Sequence, residues 1–119
     1  MATSWVTHQG SRVLYTDFRD CKSEAEMVAV FEKAVQLVLA APEPVLTMNN
    51  FDGVVVSATF LRTLRGRGAE YKHNVRAKAV LGVTGIKKTL INTYSVLTGI
   101  DARAFATEAQ ALAYLVSKA

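Results

Sequence analysis

Apolar residues along this chain switch between a period of two and a period of three to four, and each switch marks a change of element. Trp5-Val-Thr-His8 and Arg12-Val-Leu-Tyr-Thr-Asp-Phe18 gather β-branched and aromatic residues on either side of Gly10-Ser11, the pattern of two strands joined by a tight turn. From Ser23 the period changes. Ser23 and Glu26 form a capping box, and Val28, Phe31, Val35 and Val38 recur at helical spacing, which predicts an amphipathic helix ending before Pro42. Pro44-Val-Leu-Thr-Met48 is short and apolar and predicts a buried strand. Asn49 to Val56, with Asp52-Gly53 inside it, reads as a loop.

Ser57 can cap a second helix through Ala58, Leu61 and Leu64, although Gly66 and Gly68 weaken it and leave its end open. Ala77 to Val83 predicts the next strand. Thr84 caps a third helix with a buried stripe at Ile86, Leu90, Tyr94 and Leu97, ending at Gly99. A short strand around Arg103 to Phe105 follows, and Thr107 with Gln110 opens a closing helix whose buried face includes Leu112 and Leu115. Strands separated by helices are normally parallel, so the expectation is an α/β protein. It has a single open sheet of four to five strands, mostly parallel with an antiparallel amino-terminal edge hairpin, packed with about four helices. Residues 1–119 read as one domain.

Composition narrows the function classes. Half of the 119 residues are hydrophobic and a fifth are charged, which fits a folded globular chain. No apolar run reaches 18 residues and no basic-then-apolar leader opens the chain, so a cytoplasmic protein that does not span a membrane is expected. Cys21 is alone and reads as a small side chain in a reducing compartment. The net charge of +4 is unevenly placed. Residues 1 to 61 carry −3, residues 62 to 88 carry +7, and the remainder is neutral. The basic block is Arg62, Arg65, Arg67, Lys72, Arg76, Lys78, Lys87 and Lys88, opposed only by Glu70. No nucleic-acid-binding motif accompanies it, so an acidic protein or an anionic ligand ranks ahead of nucleic acid.

The candidate chemistry lies on the loops that follow strands. Gly82-Val-Thr-Gly85-Ile-Lys87-Lys88 joins a strand to a helix, but a phosphate loop needs four residues between its glycines and a lysine directly after the second. Here two residues intervene, and Ile86 displaces the lysine. What remains is an anion site at a helix start, where Thr84, Gly85, Lys87 and Lys88 would meet the positive end of the helix dipole and an anion would relieve the repulsion. In open α/β sheets ligands sit at the carboxyl ends of the strands, which brings Asn49, Asn50 and Asp52 into the same expected site. Ser57 reads first as a helix cap and second as a phosphoacceptor. His8 and His73 lie far apart in sequence, and Asp17 and Asp20 flank Arg19 as turn residues do. No catalytic set, metal site or cofactor is expected.

Leu14-Tyr-Thr-Asp-Phe18, Ala79-Val-Leu-Gly-Val-Thr-Gly-Ile-Lys-Lys88, the Tyr94 to Gly99 helix end and Ala104-Phe-Ala-Thr-Glu-Ala-Gln-Ala111 together resemble the STAS-like group of small bacterial α/β domains. These are related to anti-sigma-factor antagonists and, in topology, to lipid-transfer domains of the CRAL-TRIO type. The resemblance implies a non-enzymatic regulatory or protein-interaction module that switches partners or senses an anionic ligand, and whose protein partner would be kinase-like or sigma-regulating; a monomer or homodimer is expected. In the antagonists a Ser in an Asp-Ser-type motif at the second helix start is phosphorylated, and the added charge blocks docking. The equivalent place here reads Asn49-Asn-Phe-Asp-Gly53, so Ser57 is carried over only as a candidate. The alternative reading is a small-molecule or lipid-binding domain using the Lys87/Lys88 helix start and the Asn49 to Ser57 loop.

Overall fold

The computed structural model describes residues 2–83 and 102–119. The hairpin consists of β1 (Thr3–His8) and β2 (Ser11–Asp17), paired antiparallel from Thr3↔Thr16 to His8↔Ser11. Its two turn residues are Gln9 and Gly10, with φ of 50° and 83°. Positive φ at both positions is the turn whose twist matches that of paired strands. The turn therefore lies one residue earlier than Gly10-Ser11.

Helix α1 (Glu24–Ala40) starts on Ser23, whose Oγ accepts a hydrogen bond from the Glu26 amide at 3.1 Å. The Glu26 carboxylate accepts in turn from the Lys22 amide at 2.7 Å, so the reciprocal half of the capping box reaches one residue further back than expected. Met27, Phe31, Val35 and Val38 form the buried stripe, with Met27 in the place assigned to Val28. Strand β3 (Val45–Asn50) pairs parallel with β2 on one side and with β4 (Val75–Leu81) on the other, making it the middle of the sheet. It extends through Asn49 and Asn50, which sequence placed in a loop. Two asparagines are poor strand formers, but ladder pairing to Thr16, Asp17, Val80 and Leu81 holds them there.

Helix α2 (Ala58–Tyr71) runs through Gly66 and Gly68 without stopping, and a 3₁₀ turn, Lys72–Asn74, leads into β4. The glycine penalty, about 1 kcal/mol each, is outweighed by buried Phe60, Leu61, Leu64 and Tyr71, each contributing about 1.5–3 kcal/mol. Gly68 is itself buried. Strand β5 (Ala102–Phe105) pairs parallel with β4, and α3 (Glu108–Ser117) begins on Thr107, whose side chain accepts from the Gln110 amide at 3.2 Å. The third helix expected between Thr84 and Gly99 lies outside the described residues.

Strand order β1-β2-β3-β4-β5 means that the crossovers through α1 and α2 step across the sheet in the same direction. Crossovers of one hand stepping one way must place their helices on the same face. Accordingly Phe31 and Val35 of α1 and Phe60 and Leu64 of α2 share a core with Leu14, Val45 and Val80. Helix α3 closes the other face, where Ala111 and Leu115 pack with Val13, Leu46, Met48 and Ala79.

The described carboxyl ends of β3 and β4 are pressed together. Gly82 has φ of 77°, and a Cβ there would overlap the backbone N and Cα of Asp52. Glycine is therefore required twice over at this position, by conformation and by space. Gly82→Ala is expected to lower stability by at least about 1–2 kcal/mol, the cost of left-handed backbone alone. Urea unfolding checks this, and an unchanged midpoint would contradict the packing.

Candidate functional site

The carboxyl edge of the parallel strands is built by backbone hydrogen bonds that continue the sheet past its strands. The Phe18 amide donates to Asn50 O at 3.0 Å and the Phe51 amide to Leu81 O at 2.9 Å, so the exits of β2, β3 and β4 leave side by side. The Asp17 amide donates to Ala2 O at 2.7 Å and brings the start of the chain to the same edge. Beneath this edge Phe18 and Phe51 stack with ring centroids 4.5 Å apart, and Phe60 meets both edge-on at 6.0 and 6.2 Å. Offset and edge-on ring pairs add about 0.5–1.5 kcal/mol each beyond simple burial. The floor of the site is thus a rigid aromatic cluster.

The sequence-predicted residues divide between three settings. Asn50 is buried and turns toward the α3 side of the sheet, where its amide donates to the Tyr15 hydroxyl at 3.1 Å. Its Oδ1 accepts from the Asp52 amide at 3.0 Å, forming the turn that reverses the chain after β3. Asn49, one residue earlier, takes the opposite face under α1 and α2, and Asp52 is exposed on the turn. Ser57 caps α2 by accepting from the Phe60 amide at 3.0 Å, and its hydroxyl also donates a short hydrogen bond to the Glu24 carboxylate. That bond ties the start of α2 to the start of α1. Thr84, Gly85, Lys87 and Lys88 lie outside the described residues.

Between the two helix starts lies a groove of about 380 Å³, lined by Arg19, Cys21, Lys22 and Glu24 on one side and by Gly53, Val55 and Ser57 on the other. Val54 and Val56 point inward and are buried, while Val55 between them is 81 % exposed. Arg19 lies across the rim with its guanidinium on both Asp17 carboxylate oxygens, at 2.9 and 2.8 Å. The Arg19 side-chain hydrogen bond holds the Asp17 carboxyl below its ordinary range, against a smaller opposing effect of burial. At Cys21, burial and then the nearby Glu26, Asp17 and Asp20 carboxylates push the thiol up.

Val55 and Glu24 were not singled out by sequence. The signal was present in Gly53-Val-Val-Val56, where a period of two that buries the outer valines leaves the middle one in solvent.

The described members of the basic block do not form one face. Arg67 pairs with Glu32 at 3.0 Å and with Glu70, and Lys78 is buried beneath the helices with Nζ 5.5 Å from the centre of the Tyr71 ring. Arg62, Arg65, Lys72 and Arg76 are exposed. At the opposite end of the sheet, Trp5 is half-buried under the Arg12 guanidinium, 4.3 Å from its ring centre, rather than bare on the edge strand. Among the described residues no three His, Cys, Asp or Glu side chains gather as a metal site would require, and no helix is long and apolar enough to cross a membrane.

Compared as a whole fold, the chain matches an uncharacterised protein of the DUF3478 family with a SpoIIAA-like fold from Shewanella loihica PV-4. The TM-score is 0.65 at 13 % identity, covering 96 % of this chain and 92 % of that one. It also matches an anti-sigma-factor antagonist (STAS) domain protein from Planctomyces limnophilus, with a TM-score of 0.63 at 14 % identity over 96 % and 97 % of the two chains. The chain has a STAS-like fold. No protein-family model and no curated protein sequence matches it, so this likeness is carried by shape and topology. The STAS-like sheet, with its antiparallel edge hairpin and parallel remainder, is the architecture expected from the alternation of periods.

The raised thiol makes Cys21 a slow nucleophile, because the thiolate is the reacting form. Its alkylation by iodoacetamide at pH 7.5 is expected to be slower than that of a cysteine in a short peptide. The rate should still be climbing at the pH where the peptide levels off. A plateau at lower pH than the peptide would show the opposite shift.

Proposed function

We propose that this STAS-like domain is a non-enzymatic regulatory module that docks a protein partner at the groove between the starts of α1 and α2. The observation that carries the reading is Val55, an aliphatic side chain held in solvent on a short loop whose neighbours are fixed in the core. Its backbone is anchored by the Val54 amide donating to Phe51 O at 2.9 Å and by the Ser57 cap. An exposed apolar side chain on rigid backbone loses little entropy when covered, and Arg19, Lys22 and Glu24 around it supply a charged rim.

A non-enzymatic role is supported by the state of the polar groups there. Asp17 is engaged by Arg19, Ser57 by Glu24 and the Phe60 amide, and burial pushes the Cys21 thiol up, away from the nucleophilic form. The likeness to an anti-sigma-factor antagonist domain supports a protein partner, and the same surface would be the place for a partner of that regulatory kind.

Ser57 remains the phosphoacceptor candidate of this surface. A phosphate there would face the Glu24 carboxylate, so modification would break the tie between the two helix starts and change the groove.

Val55→Asp tests the docking surface, since the side chain makes no core contact that its loss would disturb. The expected result is a partner retained by the wild-type protein from host extract and lost by V55D, at an unchanged melting temperature. Retention of the same partner by both proteins would place docking elsewhere.

A further inference from the structure

Four polar side chains stand on the sheet face that α1 and α2 cover, where an ordinary core would place Val or Ile. Thr47 of β3 is level with Leu14 of β2 and Lys78 of β4, and one step nearer the carboxyl edge Thr16 is level with Asn49. Strand alternation puts all four on the same side. Thr16, Thr47 and Lys78 are 1 %, 5 % and 6 % exposed, and the Thr47 hydroxyl makes no hydrogen bond within the protein. A hydroxyl buried without a partner is disfavoured strongly enough that native proteins seldom keep one.

These side chains line a small cavity whose opposite wall is Phe31 and Val35 of α1 with Tyr71 of α2. The space open to a water centre there is about 20 Å³. A water needs roughly 10–15 Å³ of such space and two or more polar partners. One water therefore fits, and a carboxylate or phosphate group does not.

We propose that this cavity is a binding site for a single water molecule, accepting from Lys78 and bonded to the Thr47 hydroxyl, beneath α1. Water is the one ligand that meets both the size of the space and the chemistry of its wall. Thr47 can donate to the water oxygen or accept from it, and an ammonium supplies donors only. The bound water completes the Thr47 hydroxyl and links the middle strand to β4 through side chains as well as backbone. It also accounts for a buried threonine at the centre of β3, between Val45 and Asn49 on this face.

The test is a crystal structure of the protein at a resolution that shows ordered solvent, together with Thr47→Val, which keeps the shape and removes the hydroxyl. The expected result is one density peak within about 3.2 Å of Thr47 Oγ1. In T47V that peak should weaken or vanish and the melting temperature should fall by a few degrees, as expected for the loss of a hydrogen bond in a domain of this size. An empty cavity in the wild-type protein, or a rise in melting temperature on T47V, overturns the proposal. The second outcome would mean that the hydroxyl is simply unsatisfied and that its removal is a gain.

Discussion

Strand β3 is hydrogen-bonded on both sides and covered on both faces, and the placement of the site depends on that position. Its ladders to β2 and β4 do not end where its own side-chain alternation ends. The Phe18 and Phe51 amides add one further bond on each side, to Asn50 and to Leu81, so three chain exits are fixed relative to one another before any loop begins. The loop bearing Val55 and Ser57 then starts from a defined point. Gly82 is the condition for this, because any side chain there would push β4 away from the Asp52 turn.

From that constraint the helix starts follow. Phe51 stacks on Phe18 and sits against Phe60, so the residue that leaves β3 also positions the first turn of α2. Ser57 then satisfies the open amide of that turn and reaches Glu24, at the beginning of α1. The groove between the helices is thus determined by one aromatic cluster and one hydroxyl. Its rim, in contrast, is held by the local Asp17–Arg19 pair, which is exposed and contributes little to stability.

Much of this was legible in the sequence, and the reasons differ by element. The caps at Ser23, Ser57 and Thr107 were readable because capping is a local interaction with a fixed spacing. The sheet's parallel character followed from the alternation of periods. Asn49 and Asn50 were placed in a loop because their strand conformation is imposed by pairing to residues more than thirty positions away. The fate of the basic block was equally hidden. Lys78 looks like a surface charge in one dimension, yet strand alternation carries it under α1 and α2, and Arg67 is neutralised by Glu32 across the helix pair. Among the site residues, Asn50 and Ser57 proved to be structural anchors of the edge, and the exposed Val55 emerged only once its neighbours were seen to be buried.

The strand exits are held as rigidly as the strands themselves, and native-state hydrogen exchange measures that directly. The Phe18 and Phe51 amides are expected to exchange as slowly as amides in the middle of β3, such as that of Met48, and to lose protection with it in a single cooperative opening. Exchange of Phe18 and Phe51 orders of magnitude faster than Met48 would contradict the account, since the edge would then open independently of the sheet that is said to fix it.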